Sequence, residues 1–335
     1  MQDEDTSLRS IAGFVVMFGV LPCALFLAGV YLYILYFRPL PYAGVELQPN
    51  IVYVSARRFE THGLERLSAN GTSIDLAPLT ARSLGEHLKP TVTVLVHGYN
   101  AQEHKVATYF AGLTSYLLAD GKYDGSIVVF DWPALGVPLD ELPTAQRVQF
   151  EMMAKNRPYQ PGYELGMYGI DQRRAADVGA RSFLDLLKAL TTTENRTINV
   201  IGHSMGCYLL AEALKRDPET SSEIAIMNWL APDIDEAVVE EPWLHTAVGR
   251  LRGGIHVYYS RHDTVLTRHS RIANGTARLG ATGAGTAHKP PDGMEFVDMT
   301  EDLGTGNPHA GYLADGSPSL QRIARQISAA ANAKP

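Results

Sequence analysis

Ile198-Asn199-Val200-Ile201-Gly202-His203-Ser204-Met205-Gly206-Cys207 is the stretch on which the reading of this chain turns. An apolar, β-forming run leads into Gly-His-Ser-Met-Gly, and Tyr208 to Lys215 then reads as helix. A serine between two glycines, set between a strand and a helix, is the pattern of a nucleophile elbow. The glycines are a steric requirement. A nucleophile on so sharp a turn has a strained backbone, and side chains at Gly202 and Gly206 would collide with the neighbouring strand and helix. The turn would lift the Ser204 hydroxyl above the sheet edge. It would also set the Met205 N–H at a helix N-terminus, where it can meet a developing oxyanion. Five such residues also arise by chance, so the flanking strand and helix carry the weight.

Working outward, Thr91-Val92-Thr93-Val94-Leu95-Val96 and Ser126-Ile127-Val128-Val129-Phe130 are near-continuous apolar runs, as in strands buried on both faces. Ile51 to Ser55 precedes them, and Ala69-Asn70-Gly71-Thr72 carries an Asn-Gly hairpin signal. Ala107 to Leu118 reads as helix, and Gln172 to Leu190 has Ala176, Ala180, Phe183, Leu184 and Leu187 on one helical face. Residues 134–170, rich in Pro, Tyr and Met without a clean period, read as an insertion over the sheet edge. Downstream, strands are expected at Ile224 to Leu230, Ile255 to Ser260 and Met294 to Met299. A Gly/Ala/Thr-rich mobile loop is expected at Asn274 to Thr286, and a closing helix is N-capped by Ser317. Strands alternating with helices give an α/β domain over 45–335, with a mostly parallel central sheet flanked by helices.

Acyl transfer by a serine needs a base, a group that orients the base, and oxyanion donors. In an open α/β sheet these belong just past the C-terminal ends of strands. Asp263 follows the strand at Ile255 and is C-terminal to the serine, which fits the order Ser, Asp, His. Asp233 and Asp235 compete with it, although both also suit helix N-capping after Pro232. His309, in a Gly/Asn/Pro loop after the last strand, is the leading base. His288 precedes the last strand and goes with the mobile segment, His262 and His269 are too near Asp263 in sequence, and His203 should point away from the nucleophile. The backbone N–H of Tyr99 would join that of Met205 in an oxyanion hole, with His97 and Gly98 supporting the loop.

Val94-Leu95-Val96-His97-Gly98-Tyr99-Asn100, Phe130-Asp131-Trp132-Pro133, the Gly202–Gly206 elbow, Leu230-Ala231-Pro232-Asp233-Ile234-Asp235 and Tyr259-Ser260-Arg261-His262-Asp263 occur in that order. Together they resemble a bacterial family of α/β-hydrolases catalogued as a domain of unknown function, over roughly Val45 to the C-terminus. The resemblance implies the α/β-hydrolase fold and a triad of Ser204, His309 and Asp263. It implies no substrate.

The N-terminus has a different character. After a polar tail, residues 1–10, no charged residue occurs from Ile11 to Phe37, about 27 residues. That exceeds the roughly 20 needed to cross a bilayer and is too long for a signal-peptide core. Tyr31, Tyr33, Tyr36 and Phe37 would form an interfacial belt, and residues 38–44 a stiff linker. A single transmembrane anchor is therefore expected. Arg9 and Arg38 flank opposite ends, so the positive-inside count is close to a tie. A single N-terminal anchor usually exports the domain on its C-terminal side, which places the catalytic domain on the periplasmic or external side. The net charge of −7 and the lack of a basic tract argue against a nucleic-acid partner. Cys23 and Cys207 are the only cysteines and offer no disulfide framework. With no metal-ligand cluster or phosphate loop in the sequence, no cofactor and no metal are expected. The expected activity is that of a membrane-anchored serine hydrolase acting on small-molecule or lipid esters. A non-catalytic membrane-tethered binding protein on the same fold is the alternative.

Overall fold

The computed structural model describes residues 47, 48, 50–70, 73–80, 84, 88–101, 105–119, 123–134, 161–192 and 196–332. They belong to one compact unit, Gly44–Gly136 with Pro161–Pro335. The expected tail, anchor and linker, and residues 135–160 of the insertion, lie outside the described residues. Among the described residues, no helix is long and apolar enough to cross a membrane.

The apolar runs of the sequence become β1 (Ile51–Ser55), β2 (Glu65–Asn70), β3 (Ser73–Pro78), β4 (Thr91–Val96), β5 (Ser126–Asp131), β6 (Thr197–His203), β7 (Ile224–Leu230), β8 (Ile255–Tyr259) and β9 (Met294–Asp298). They pair in the order β3-β2-β1-β5-β4-β6-β7-β8-β9. All pairs from β1 to β9 are parallel, and only the β2–β3 hairpin and its join to β1 are antiparallel. Asn70 pairs with Ser73, so the hairpin closes where the Asn-Gly signal stands.

The central strands lack polar alternation because both of their faces are covered. Val92, Val94 and Val96 of β4, Val128 and Phe130 of β5, and Ile198 and Val200 of β6 join one continuous core. Leu95, Ile127, Val129 and Ile201, at alternating positions, are equally buried and point to the other face. Burial of each such side chain is worth about 1.5–3 kcal/mol, which makes a half-polar strand unfavourable here.

Two groups of helices supply the cover. On one side α1 (Ala111–Leu118) meets α6 (Pro318–Asn332), which also packs on β6 and β7. On the other side are α2 (Pro161–Arg174), a π-helical turn (Ala175–Gly179), α3 (Ala180–Thr191), α4 (Met205–Arg216) and α5 (Pro242–Val248), and α4 packs against both α3 and α5. The helix expected from Gln172 thus starts earlier, at Pro161, within the expected insertion. Gly162, Gly166 and Gly169 weaken the local signal there, while tertiary contact buries Met167.

The expected mobile loop at Asn274–Thr286 is a correction. It contains a helical turn, Leu279–Thr282, and Arg278, Leu279, Gly280 and Ala281 are all buried. What anchors it is an ion pair. Arg278 Nε lies 2.8 Å from Asp233 Oδ1, and its Nη2 donates to the Asp233 carbonyl at 2.6 Å. Both side chains are 3% exposed. Ser270 and Tyr168 also donate to the Asp233 carboxylate. Asp233 is therefore not the helix cap that its place after Pro232 suggests. Asp235 has that role, accepting from the Ala237 N–H at 3.0 Å.

Breaking a buried pair leaves one charge without compensation. Arg278→Met is expected to lower unfolding free energy by about 3–5 kcal/mol, read from urea melts, and the double variant Arg278→Met/Asp233→Leu should regain part of the loss. A loss below about 1 kcal/mol in the single variant would contradict this account of the segment.

Candidate active site

The elbow is built as its sequence requires. Ser204 has φ 55° and ψ −121°, a conformation that L-residues seldom adopt. Its N–H donates to the Leu230 carbonyl at 2.9 Å, and its carbonyl accepts from Cys207 at 3.0 Å and Asp233 at 3.2 Å. A Cβ at Gly206 would sit 2.5 Å from the His97 carbonyl oxygen and closer still to that of Val96. One at Gly202 would lie 2.7 Å from Leu210 Cδ1. Gly206 is needed because backbone approaches this closely, whereas at Gly202 the close neighbour is the tip of a helix side chain. Cys207 is fully buried under the turn, and burial pushes its thiol well above its ordinary range.

Three of the sequence candidates converge at the C-terminal edge of the sheet. His309, on the short helix Pro308–Gly311 beyond β9, brings its Nε2 to 3.1 Å from Ser204 Oγ. Its Nδ1 is 2.7 Å from Asp263 Oδ2. A carboxylate only accepts, so Nδ1 carries the hydrogen and Nε2 is left to accept from the Ser204 hydroxyl. Asp263, beyond β8, is fully buried, and its other oxygen accepts from the Val265 and Leu266 N–H groups at 3.0 and 3.1 Å. This fixes the carboxylate plane. Asp233 is committed to Arg278, and His288 lies near Glu236 and Glu240. Met205 is the first residue of α4, where a backbone N–H has no intrahelical partner.

The loop after β4 is held by a buried charge that sequence reading did not find. Arg57 grips Asp131 through Nε at 2.8 Å and Nη2 at 2.7 Å, and also donates to the Ala101 and Ala134 carbonyls. His97 Nε2 lies 3.1 Å from the same carboxylate, and its ring stacks on Trp132 at 5.4 Å. Trp132 Nε1 donates to the His97 carbonyl at 2.7 Å. Burial pushes the Asp131 carboxyl up, but the Arg57 charge and the hydrogen bonds from His97 and Arg57 outweigh it and hold it below its ordinary value. The one sequence signal was Phe130-Asp131-Trp132-Pro133, an acid at the end of an otherwise apolar strand. Tyr99 sits in this loop with its ring 5.8 Å from that of Tyr168.

His203 is turned away from the nucleophile, as expected. Its ring lies 5.0 Å from that of His309, and its Nε2 is 2.8 Å from the His309 carbonyl. Its Nδ1 faces the Tyr109 hydroxyl at 2.7 Å, a partner with no warning in the sequence. The side chain avoids the nucleophile by turning towards the loop that carries His309. Among the described residues, no group of His, Cys, Asp and Glu is placed to hold a metal ion.

The model of a family described as alpha/beta hydrolase of unknown function (DUF900) matches residues 79–324. No curated protein matches the chain. Among solved structures, the chain is similar to the esterase Pf2001 of Pyrococcus furiosus, with 12% identity, TM-score 0.40, and coverage of 72% of this chain and 83% of that one. It is also similar to a YdeN-like hydrolase of Pectobacterium atrosepticum, with 13% identity, TM-score 0.32 and coverage of 72% and 92%. The phospholipase PlaB of Legionella pneumophila matches at 13% identity and TM-score 0.39, with coverage of 71% and 58%.

The Asp131 contribution to stability has a defined pH window. A depressed carboxyl stabilises above its unfolded value, near 3.9, and this is lost as pH falls through the lower folded value. Arg57→Met removes the guanidinium, so the burial that raises Asp131 is then opposed by His97 without Arg57. The midpoint of acid unfolding, followed by circular dichroism, should therefore move to higher pH in the variant; an unchanged midpoint would contradict the assignment.

Proposed function

This chain belongs to the alpha/beta hydrolase family of unknown function whose model spans it from residue 79 to 324, and we propose that it is a serine hydrolase acting on carboxylic esters. The observation that carries this reading is the hydrogen-bond sequence Asp263–His309–Ser204, at 2.7 and 3.1 Å, ending on a strained serine at the sheet edge. In the proposed reaction Ser204 Oγ attacks the ester carbonyl while His309 Nε2 takes its proton. Asp263 keeps the imidazole in the required tautomer and balances its transient charge. The tetrahedral oxyanion is met by the backbone N–H groups of Met205 and Tyr99. His309 returns the proton to the departing alcohol, and water then releases the acyl group by the same steps in reverse. Esters are preferred to peptides by analogy with the usual chemistry of this fold.

The uncharged stretch from Ile11 to Phe37 extends the proposal to a single-pass anchor, with the catalytic unit on the periplasmic or external side. An enzyme so tethered would meet lipid esters at the bilayer surface. Co-sedimentation of the full chain with vesicles, lost on removal of residues 1–44, is the expected result. A full chain that stays in the supernatant would refute the anchor.

A fluorophosphonate probe tests the chemistry. It should label the wild type at Ser204 and leave Ser204→Ala unlabelled. Asp263→Asn should reduce turnover of a p-nitrophenyl ester by about 10⁴-fold, while folded Asp233→Asn should not lose orders of magnitude. A folded but unlabelled wild type would rule out the enzyme, and the reverse ranking of the two aspartates would overturn the assignment of the acid.

A further inference from the structure

His203 lies inside the elbow, yet the acyl-transfer scheme gives it no task. Its surroundings fix its protons by simple counting. The Gly98 N–H donates to Tyr109 Oη at 2.9 Å. Tyr109 Oη is 2.7 Å from His203 Nδ1, and His203 Nε2 is 2.8 Å from the His309 carbonyl oxygen. A carbonyl can only accept, so Nε2 must carry the hydrogen. Nδ1 is then a lone-pair acceptor, and the phenol O–H donates to it. The phenol oxygen remains free to accept from Gly98. Each group has one role, and no other arrangement of protons on a neutral ring satisfies all three contacts.

We propose that Tyr109 and His203 are positioning residues that tie the three loops of the site together in one directed chain, Gly98 N–H to Tyr109 to His203 to the His309 carbonyl. The chain begins beside Tyr99 in the loop after β4, crosses the elbow next to Ser204, and ends on the backbone of the base. It fixes where His309 stands relative to Ser204 Oγ, while Asp263 fixes only how its ring is turned. The two supports are complementary, because a ring held by its carboxylate alone could still shift with its short helix.

The electrostatics agree with this geometry. Burial first, and the neighbouring His309 second, lower the His203 pKa to about 3, so the ring stays neutral beside a base that must gain a proton. Burial likewise pushes the Tyr109 hydroxyl above its ordinary value and keeps it a donor. A cationic His203 would instead oppose charge on His309, 5.0 Å away between rings.

This inference rests on the reading of His309 as the base, and its tests separate the two. The full chain in detergent is labelled with a fluorophosphonate, and the second-order rate is measured. His203→Leu, which removes the donor to the His309 carbonyl, should slow labelling by about ten- to a hundredfold. His203→Gln restores a side-chain N–H and should recover most of that rate at an unchanged urea midpoint. Leu labelling at the wild-type rate, or Gln no faster than Leu, would overturn the proposal. Should His203→Leu not fold, Tyr109→Phe and the wild-type ring decide the matter. In ¹⁵N spectra at pH 7, His203 of the wild type should show the Nε2–H tautomer, and an Nδ1–H or doubly protonated ring would overturn the proposal. The spectrum is independent of catalysis, so a wild type with the expected tautomer but no labelling would count against the hydrolase reading alone.

Discussion

Ser204 is held in a backbone conformation that an L-residue avoids, and the neighbouring elements are arranged to keep it there. The strain is worth about 1–3 kcal/mol. The Ser204 N–H bond to Leu230 and the bonds its carbonyl accepts from Cys207 and Asp233 offset it, and the close approach of Gly206 to the Val96 and His97 carbonyls leaves the turn no room to relax. These restraints come from the ends of the two strands beside β6, β4 and β7, from the residues that follow them, and from α4. The elbow is therefore braced by both strands that flank β6, and its geometry depends on their pairing.

Two ion pairs, one buried and one partly buried, flank this turn. Arg57–Asp131 braces the loop after β4, and Arg278–Asp233 braces the segment after β7. Neither is strong evidence for net stability, because desolvation consumes much of the Coulomb attraction. Their effect is to specify geometry. A guanidinium fork accepts few arrangements of a carboxylate and nearby carbonyls, so each pair fixes one loop in one place. The Asp233 backbone N–H, bonded to the Ser204 carbonyl, carries that order to the elbow itself.

The parallel sheet was legible because its central strands are buried on both faces, which writes unbroken apolar runs into the sequence. The elbow was legible because its strain demands glycines at fixed spacing. Ser204, Asp263 and His309 could be picked out because an open sheet gathers such groups past its strand ends, and the structure brings these three together. Long-range partnerships were not legible. Nothing local connects Arg57 with Asp131, or Arg278 with Asp233, since a buried charge takes its meaning from a residue far along the chain. The Asn274–Thr286 segment read as mobile for the same reason: its composition is that of a loop, and its anchor is a single arginine whose partner lies in the segment after β7. The helix at Pro161 was hidden by its glycines, whose low propensity is overridden by packing. Tyr109 is one of several aromatic residues on unremarkable helical spacing.

Cys207 gives the proposed chemistry a selectivity of its own. A thiol three residues from an acyl-accepting serine is a competing acceptor, and a thioester formed there would be a dead end. Only a thiolate would compete effectively, and the complete burial of Cys207, with Sγ 3.6 Å from the Leu230 carbonyl, keeps it protonated. The same burial shields it from peroxide and disulfide exchange. A free cysteine can therefore persist beneath the nucleophile even in an oxidising compartment, where an exposed one would be a point of inactivation.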